Sequence, residues 1–183
     1  MIMRAVNWFG IVGGVAAIVL IVVSFHTPWW QLVIGEDFIK VNVSPFNFNF
    51  NFLGVAFAIP LILALNLSSL LMLLIGGMSL IVYSLNPSKG YSKKLLCFAY
   101  KKPIYSVVFF LVGIIAVSLI LNFMFSINLP IHGTAMARLS TPSQGAAINV
   151  PVTTSLQWPF WFAVATAVLC VVARLYHKKL TTA

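Results

Sequence analysis

Four long apolar runs set the pattern of this chain, at about residues 7–25, 53–85, 103–125 and 158–176. Crossing a bilayer as helix takes roughly 20 apolar residues. The second run would be about 50 Å long as one helix, well beyond a hydrocarbon core of about 30 Å. Pro60 suits the first turn of a helix. The span is therefore set at 60–85, and 53–59 becomes an interfacial lead-in. Small residues recur inside the spans: Gly10 and Gly14 in the first, Gly76 and Gly77 in the second, Gly113 in the third, Ala163 and Ala167 in the fourth. Such positions let helix backbones approach closely and predict the seams of a four-helix bundle.

The links between the first and second runs (26–52) and between the third and fourth (126–157) carry a different periodicity. Residues 30–34 are apolar and β-prone, Gly35-Glu36-Asp37 signals a turn, and Ile39, Val41 and Val43 alternate with polar neighbours. Residues 46–52 alternate Phe and Asn, so a strand puts Phe46, Phe48, Phe50 and Phe52 on one face and the Asn on the other. This predicts a meander of three strands, with a Phe face that covers helix ends or meets a partner protein. In the second link, 140–145 reads as a turn. Residues 147–156 offer one more strand, with Pro151 marking an edge or a break.

Charge orients the pattern. The chain has 11 Lys and Arg against 2 acids, a net charge of +9. Arg4, Lys89, Lys93, Lys94, Lys101, Lys102, Arg174, Lys178 and Lys179 all fall on one side of the spans, and only Lys40 and Arg138 on the other. This is the positive-inside pattern of a multi-pass protein of the plasma membrane with both termini cytoplasmic. The excess charge is a topological signal and gives no footprint of a nucleic acid partner. Apolar residues make up 61% and charged residues 7%, where a soluble domain carries about 25% charged residues. The first run is read as a retained helix, because the residues after it lack a small-x-small cleavage pattern. Residues 93–100 suggest a short interfacial helix. The near absence of acids from the outer links fits an acidic exterior, such as that of a thermoacidophilic archaeon, since such a surface changes charge little at low pH.

Candidate chemistry is sparse. The spans hold no Asp, Glu, Lys or His, which argues against a pump or proton-coupled transporter. Asn66, Ser68, Ser69 and Asn122 are polar residues within them, read as interhelical hydrogen-bonding groups. His26, His132, Glu36 and Asp37 are weak metal candidates, spread over separate segments without ligand spacing. No cofactor-binding, nucleophile or phosphate motif occurs, so the expectation is no cofactor and no catalytic residue. Cys97 and Cys170 are isolated thiols, read as apolar packers. Asn42-Val43-Ser44 matches a glycosylation acceptor. Trp29, Trp30, Trp158 and Trp161 sit at outer span ends, where Trp anchors an interface; with the four Phe, Trp29 and Trp30 are candidates for a partner surface.

Four spans, termini on the basic side, a stranded first outer link and Trp29 and Trp30 near its start resemble the layout of claudin-like tetraspans. The Gly-Leu-Trp and paired Cys of that family's first loop have no counterpart here, so no functional residue is carried over. The expected fold is an all-α membrane protein, a single unit over 1–183, with a small extracytoplasmic β-layer. The expected function is a non-catalytic subunit packed into a larger membrane complex, a respiratory or other redox enzyme among the candidates. A self-associating cell-surface or envelope tetraspan is the alternative, and a channel for a neutral solute the third reading. The partners implied are membrane lipids, other integral membrane subunits or a second copy of the chain.

Overall fold

The computed structural model describes residues 6–35, 39–46, 50–52, 55–57, 60–125, 129–140 and 147–182. Among them, helices α1 (Trp8–His26), α2 (Pro60–Leu85), α4 (Lys101–Phe125) and α5 (Trp158–Thr182) form the bundle, and α3 (Ser92–Ala99) leads into α4. Four helical stretches, Trp8–His26, Pro60–Leu85, Ser92–Ile120 and Trp158–His177, are long and apolar enough to cross a membrane. Pro60 opens α2, as its fixed φ and missing N–H favour. Pro103 explains the interruption between α3 and α4: it cannot donate to the carbonyl four residues back, at Ala99, and Tyr100, still helical in its torsions, joins the two.

Each helix is apolar nearly all round but buries only a narrow stripe. In α2 the stripe runs Ile62, Asn66, Ser69, Leu73, Gly76, Leu80, Tyr83, in alternating steps of four and three. That spacing is the seam of closely aligned helices. The opposite faces leave Val12, Val15, Val19, Leu63, Leu67 and Val112 exposed. The helices close in a ring, α1 on α2, α2 on α4, α4 on α5, and α5 on α1.

A four-stranded antiparallel sheet, in the order β2-β1-β6-β5, sits at one end of this ring. It is woven from both links: β1 (Trp30–Ile34) and β2 (Ile39–Val43) from the first, β5 (Gly133–Ser140) and β6 (Ala147–Leu156) from the second. Gly35 turns between β1 and β2 at φ 72°, where a side chain would be strained. Trp30, Leu32 and Ile34 face inward from β1, with Val41 and Val43 from β2 and Val152 from β6. These join Ala17, Leu20, Ile62, Leu73, Phe110 and Ile114 in one core. The sheet is thus a lid fused to the bundle.

The structure changes three expectations about this layer. Among the described residues the first link does not form a three-strand meander. β3 (Phe50–Phe52) pairs with β4 (Val55–Phe57) as a separate two-stranded ribbon, and β4 falls in the expected lead-in. Of the seven-residue Phe/Asn strand, Phe46 lies in a bend, while Phe48 and its two Asn neighbours fall outside the described residues. The second link contributes two strands, not one, and β6 is interior. Pro151 is tolerated because its nitrogen points toward β1, beyond the last register pair, Ile34↔Val152. There its carbonyl still accepts from Gly35 N at 2.8 Å. The expected turn at 140–145 lies, after Ser140, outside the described residues.

Candidate functional site

Polar side chains gather at the basic end of the bundle, where α1 begins and α2 and α5 end. Asn7 is the N-cap of α1: its side-chain oxygen accepts from Gly10 N at 3.1 Å, satisfying one orphan helix donor. Its amide nitrogen donates to the Tyr83 hydroxyl at 3.0 Å and to Ala173 O at 2.8 Å. One side chain therefore ties α1 to both α2 and α5. Tyr83 Oη lies 2.8 Å from His177 Nδ1. With Asn7 donating to it, the Tyr83 hydroxyl still has its own hydrogen and a second lone pair, so it pairs with Nδ1 in either tautomer of the imidazole. Nearby, Arg174 donates to the Tyr100 hydroxyl, with its guanidinium 4.3 Å from the ring. Among the described residues no buried side-chain nitrogen or oxygen lacks a hydrogen-bond partner. The network works chemically as a clasp on helix ends.

A second knot sits under the sheet. Trp29 is fully buried. Its indole nitrogen donates to Ser24 Oγ at 2.8 Å, and Ser24 Oγ donates back to Leu20 O at 2.6 Å. Its ring lies 4.8 Å from that of Phe110 on α4. Its backbone nitrogen donates to Val43 O, and its carbonyl accepts from Gln157 N just before α5, both at 2.9 Å. Trp30 donates from its indole to Ile131 O at 2.9 Å. These two Trp belong to the chain's own core, which removes them from the expected partner surface. Trp158 and Trp161, by contrast, are both more than half exposed.

The small residues of the spans stand as follows. Gly14 and Gly77 face each other across α1 and α2: a Cβ on Gly14 would lie 2.9 Å from Gly77 O. Gly10 sits beside Ser84 and Ala173, and Gly76 against Lys102 and Pro103. Gly113 lies near Asn66, whose side chain reaches toward Ser44 O at 3.5 Å. Ser69 and Ser106 join α2 to α4, their hydroxyls 2.7 Å apart. Ala163 is buried, but Ala167 lines an open groove between α4 and α5 rather than a closed seam.

Of the metal candidates, the two His fall within the described residues. His26 is exposed at the end of α1, and exposed His132 accepts weakly from Leu156 N at 3.4 Å. Glu36 and Asp37 lie outside the described residues. No group of three metal-ligating side chains occurs among the described residues. Of the Phe series, Phe46 stacks on Phe25 with ring centroids 3.6 Å apart. The side chains of Phe50 and Phe52 are outside the description. Asn42 is exposed and accepts from Gln31 Nε2 at 2.8 Å, while Ser44 of the same acceptor triplet is buried.

Sequence reading passed over Asn7 and Tyr83. A signal existed for Asn7, since Asn directly before an apolar run is a helix N-cap signature. Tyr83 gave none beyond one polar tip near the end of a span. No family model, curated protein or solved structure matches this chain.

Proposed function

We propose that this chain is a multi-pass protein of the plasma membrane that serves as a subunit, without a reaction of its own, in a larger membrane complex. In this reading both termini and α3 are cytoplasmic, the sheet lies outside, and the layout is that of a claudin-like tetraspan. The carrying observation is how the polar side chains are used. Asn7, Ser24, Ser69, Tyr83 and Ser106 bond to other parts of the same chain, and the helices turn aliphatic faces outward. Groups spent in this way hold a shape. A respiratory or other redox enzyme is a candidate for the complex. The solute-channel reading gains no support from the interior pocket among Trp30, Ile62, Asn66 and Phe110, which has no room for water.

One observation favours a second reading, self-association at the sheet. Among the described residues β5 pairs with β6 on one side only, and Met136 on it is 71% exposed. An edge strand offers unpaired N–H and C=O groups to another strand.

Native mass measurement after gentle detergent extraction separates the two. Different integral membrane partners support the subunit reading, and a homo-oligomer supports the second. A monomer that passes neutral solutes into liposomes overturns both. Orientation has its own reporter: Cys97 is exposed and Cys170 buried. A membrane-impermeant thiol reagent should leave Cys97 unmodified in sealed cells and label it once they are opened. Labelling of sealed cells reverses the assigned topology.

A further inference from the structure

We propose that the groove between α4 and α5 binds one anionic phospholipid, its acyl chain lying in the groove and its phosphate meeting Arg174 and Lys101 at the mouth. This goes beyond the subunit reading and shares with it the premise that the bundle crosses a bilayer. The groove holds about 340 Å³, within the roughly 300–1,000 Å³ of small-molecule sites. Its walls are aliphatic: Ile104, Val107 and Val108 from α4, with Val164, Val168 and Val171 from α5. Water entering there would find no polar partner, so an apolar chain is the fitting occupant.

The mouth follows from helix geometry. α4 and α5 run antiparallel, and Ile104 and Val171 both pack against the cluster around Tyr83, Leu96 and Tyr100. Residues three apart share a helix face. Lys101 therefore continues the α4 wall and Arg174 the α5 wall, one step toward the basic end. Both side chains are exposed. Tyr100 holds the guanidinium in place through its hydroxyl and its ring face. Lys101 Nζ lies 6.0 Å from the same ring centroid. An Arg pinned in this way keeps further donors of its planar fork for a phosphate.

Charge and width select a lipid over a helix. The chain's 2 acids are Glu36 and Asp37, both in the sequence between β1 and β2 and neither near Lys101 or Arg174 in the chain. A second copy lying parallel would set its own Lys and Arg against this mouth, where the sequence of α3, α4 and α5 has no Asp or Glu. A helix about 10 Å across would rest on the groove, whereas one acyl chain enters it. Anionic headgroups are what basic residues meet at a cytoplasmic leaflet, at about fivefold in binding per residue.

The test uses the full chain in mild detergent, offered equal amounts of phosphatidylglycerol and phosphatidylcholine, with retained lipid counted by native mass spectrometry. The expected result is one phosphatidylglycerol per chain, favoured at least about fivefold. Arg174→Gln should lower that preference about fivefold and leave phosphatidylcholine retention unchanged. Val168→Phe and, independently, Ala167→Leu fill the groove and should abolish retention of both lipids, with circular dichroism read alongside. If neither filled variant folds, the Arg174→Gln comparison decides. Equal retention of the two lipids by the unmodified chain overturns the proposal, as does unchanged retention in a folded groove-filled variant. A lipid-free dimer that Val168→Phe dissolves would assign the groove to a second copy. A chain that stays dispersed without detergent would instead overturn the bilayer premise and the subunit reading with it.

Discussion

Replacing Gly14 and Gly113 by Ala, one at a time, should move stability in opposite directions. Both are helical and buried, and both changes add one methyl. At Gly14 the new Cβ would lie 2.6 Å from Ile81 Cγ1 and 2.9 Å from Gly77 O. Carbon atoms pack at about 3.5–4.0 Å, so roughly 1 Å must be found. Neither obstacle is the far end of a flexible side chain, because one is backbone and the other sits at the base of Ile81. α1 and α2 must therefore separate, and overpacking of this kind costs about 1–3 kcal/mol. Ala returns up to about 1 kcal/mol through helix propensity, which leaves a net loss of up to about 2 kcal/mol. At Gly113 the nearest atoms are Asn66 Oδ1 at 3.6 Å and Leu65 Cβ at 4.0 Å, ordinary contacts. The propensity term acts unopposed there, for a gain of about 0.5–1 kcal/mol. Gly13, where Cys170 Sγ would stand at 3.3 Å and Leu80 Cδ2 at 3.4 Å, should fall between. Unfolding in mixed micelles titrated with a denaturing detergent, followed by far-UV circular dichroism, reads the order. If Gly14→Ala proved as stable as Gly113→Ala, the close crossing of α1 and α2 would be wrong.

Two further substitutions address the two polar knots. Asn7→Asp keeps a good N-cap acceptor but loses the amide donors to Tyr83 and Ala173 O. It should therefore destabilise nearly as much as Asn7→Ala, by about 1–3 kcal/mol; stability close to the unmodified chain would reduce Asn7 to a cap. Trp29→Ala should cost about 3–5 kcal/mol and Trp29→Phe about 1–3 kcal/mol, the latter for the orphaned Ser24 partner. Equal tolerance of both in the same titration would show that the sheet is not anchored through this ring.

What the sequence made legible was whatever depends on local periodicity. The helices follow from apolar runs matched to a bilayer, and the β1–β2 hairpin from alternation around a Gly turn. Pairing between distant segments was not legible. Trp30↔Leu156 and Ile34↔Val152 join the two links, and nothing near either strand announces its partner. β5 was missed because Gly133–Ser140 sets Thr, Met and Arg against Ala and Leu with no clear apolar face. The Phe/Asn alternation at 46–52 is the converse case. Period two was present, and among the described residues of this segment Phe50–Phe52 is strand, paired locally with Val55–Phe57, while Phe46 lies in a bend. Trp29 and Trp30 were misassigned because their position beside a span end suits an interface belt, while their burial depends on a sheet assembled from residues more than a hundred positions away.

The same residues that hold the bundle also explain its opening. Lipid chains are as apolar as Leu, so helices in a bilayer gain little from burial against one another and rely on close packing and hydrogen bonds. α1 and α2 have Gly14 against Gly77, and α1 and α5 have the Asn7 bond to Ala173 O. α2 and α4 have Ser69 with Ser106, and Gly76 against Pro103. Between α4 and α5 the fastenings lie at the ends, Phe110 near Phe160 under the sheet and Tyr100 with Arg174 at the basic end. In the middle, α4 offers Ile104, Val107 and Val108 to Val164 and Val168. Branched at Cβ, these side chains are stiff, and no glycine among them lets the backbones close. The helices are held together at both ends and kept apart between, so the groove follows from residue choice along two faces.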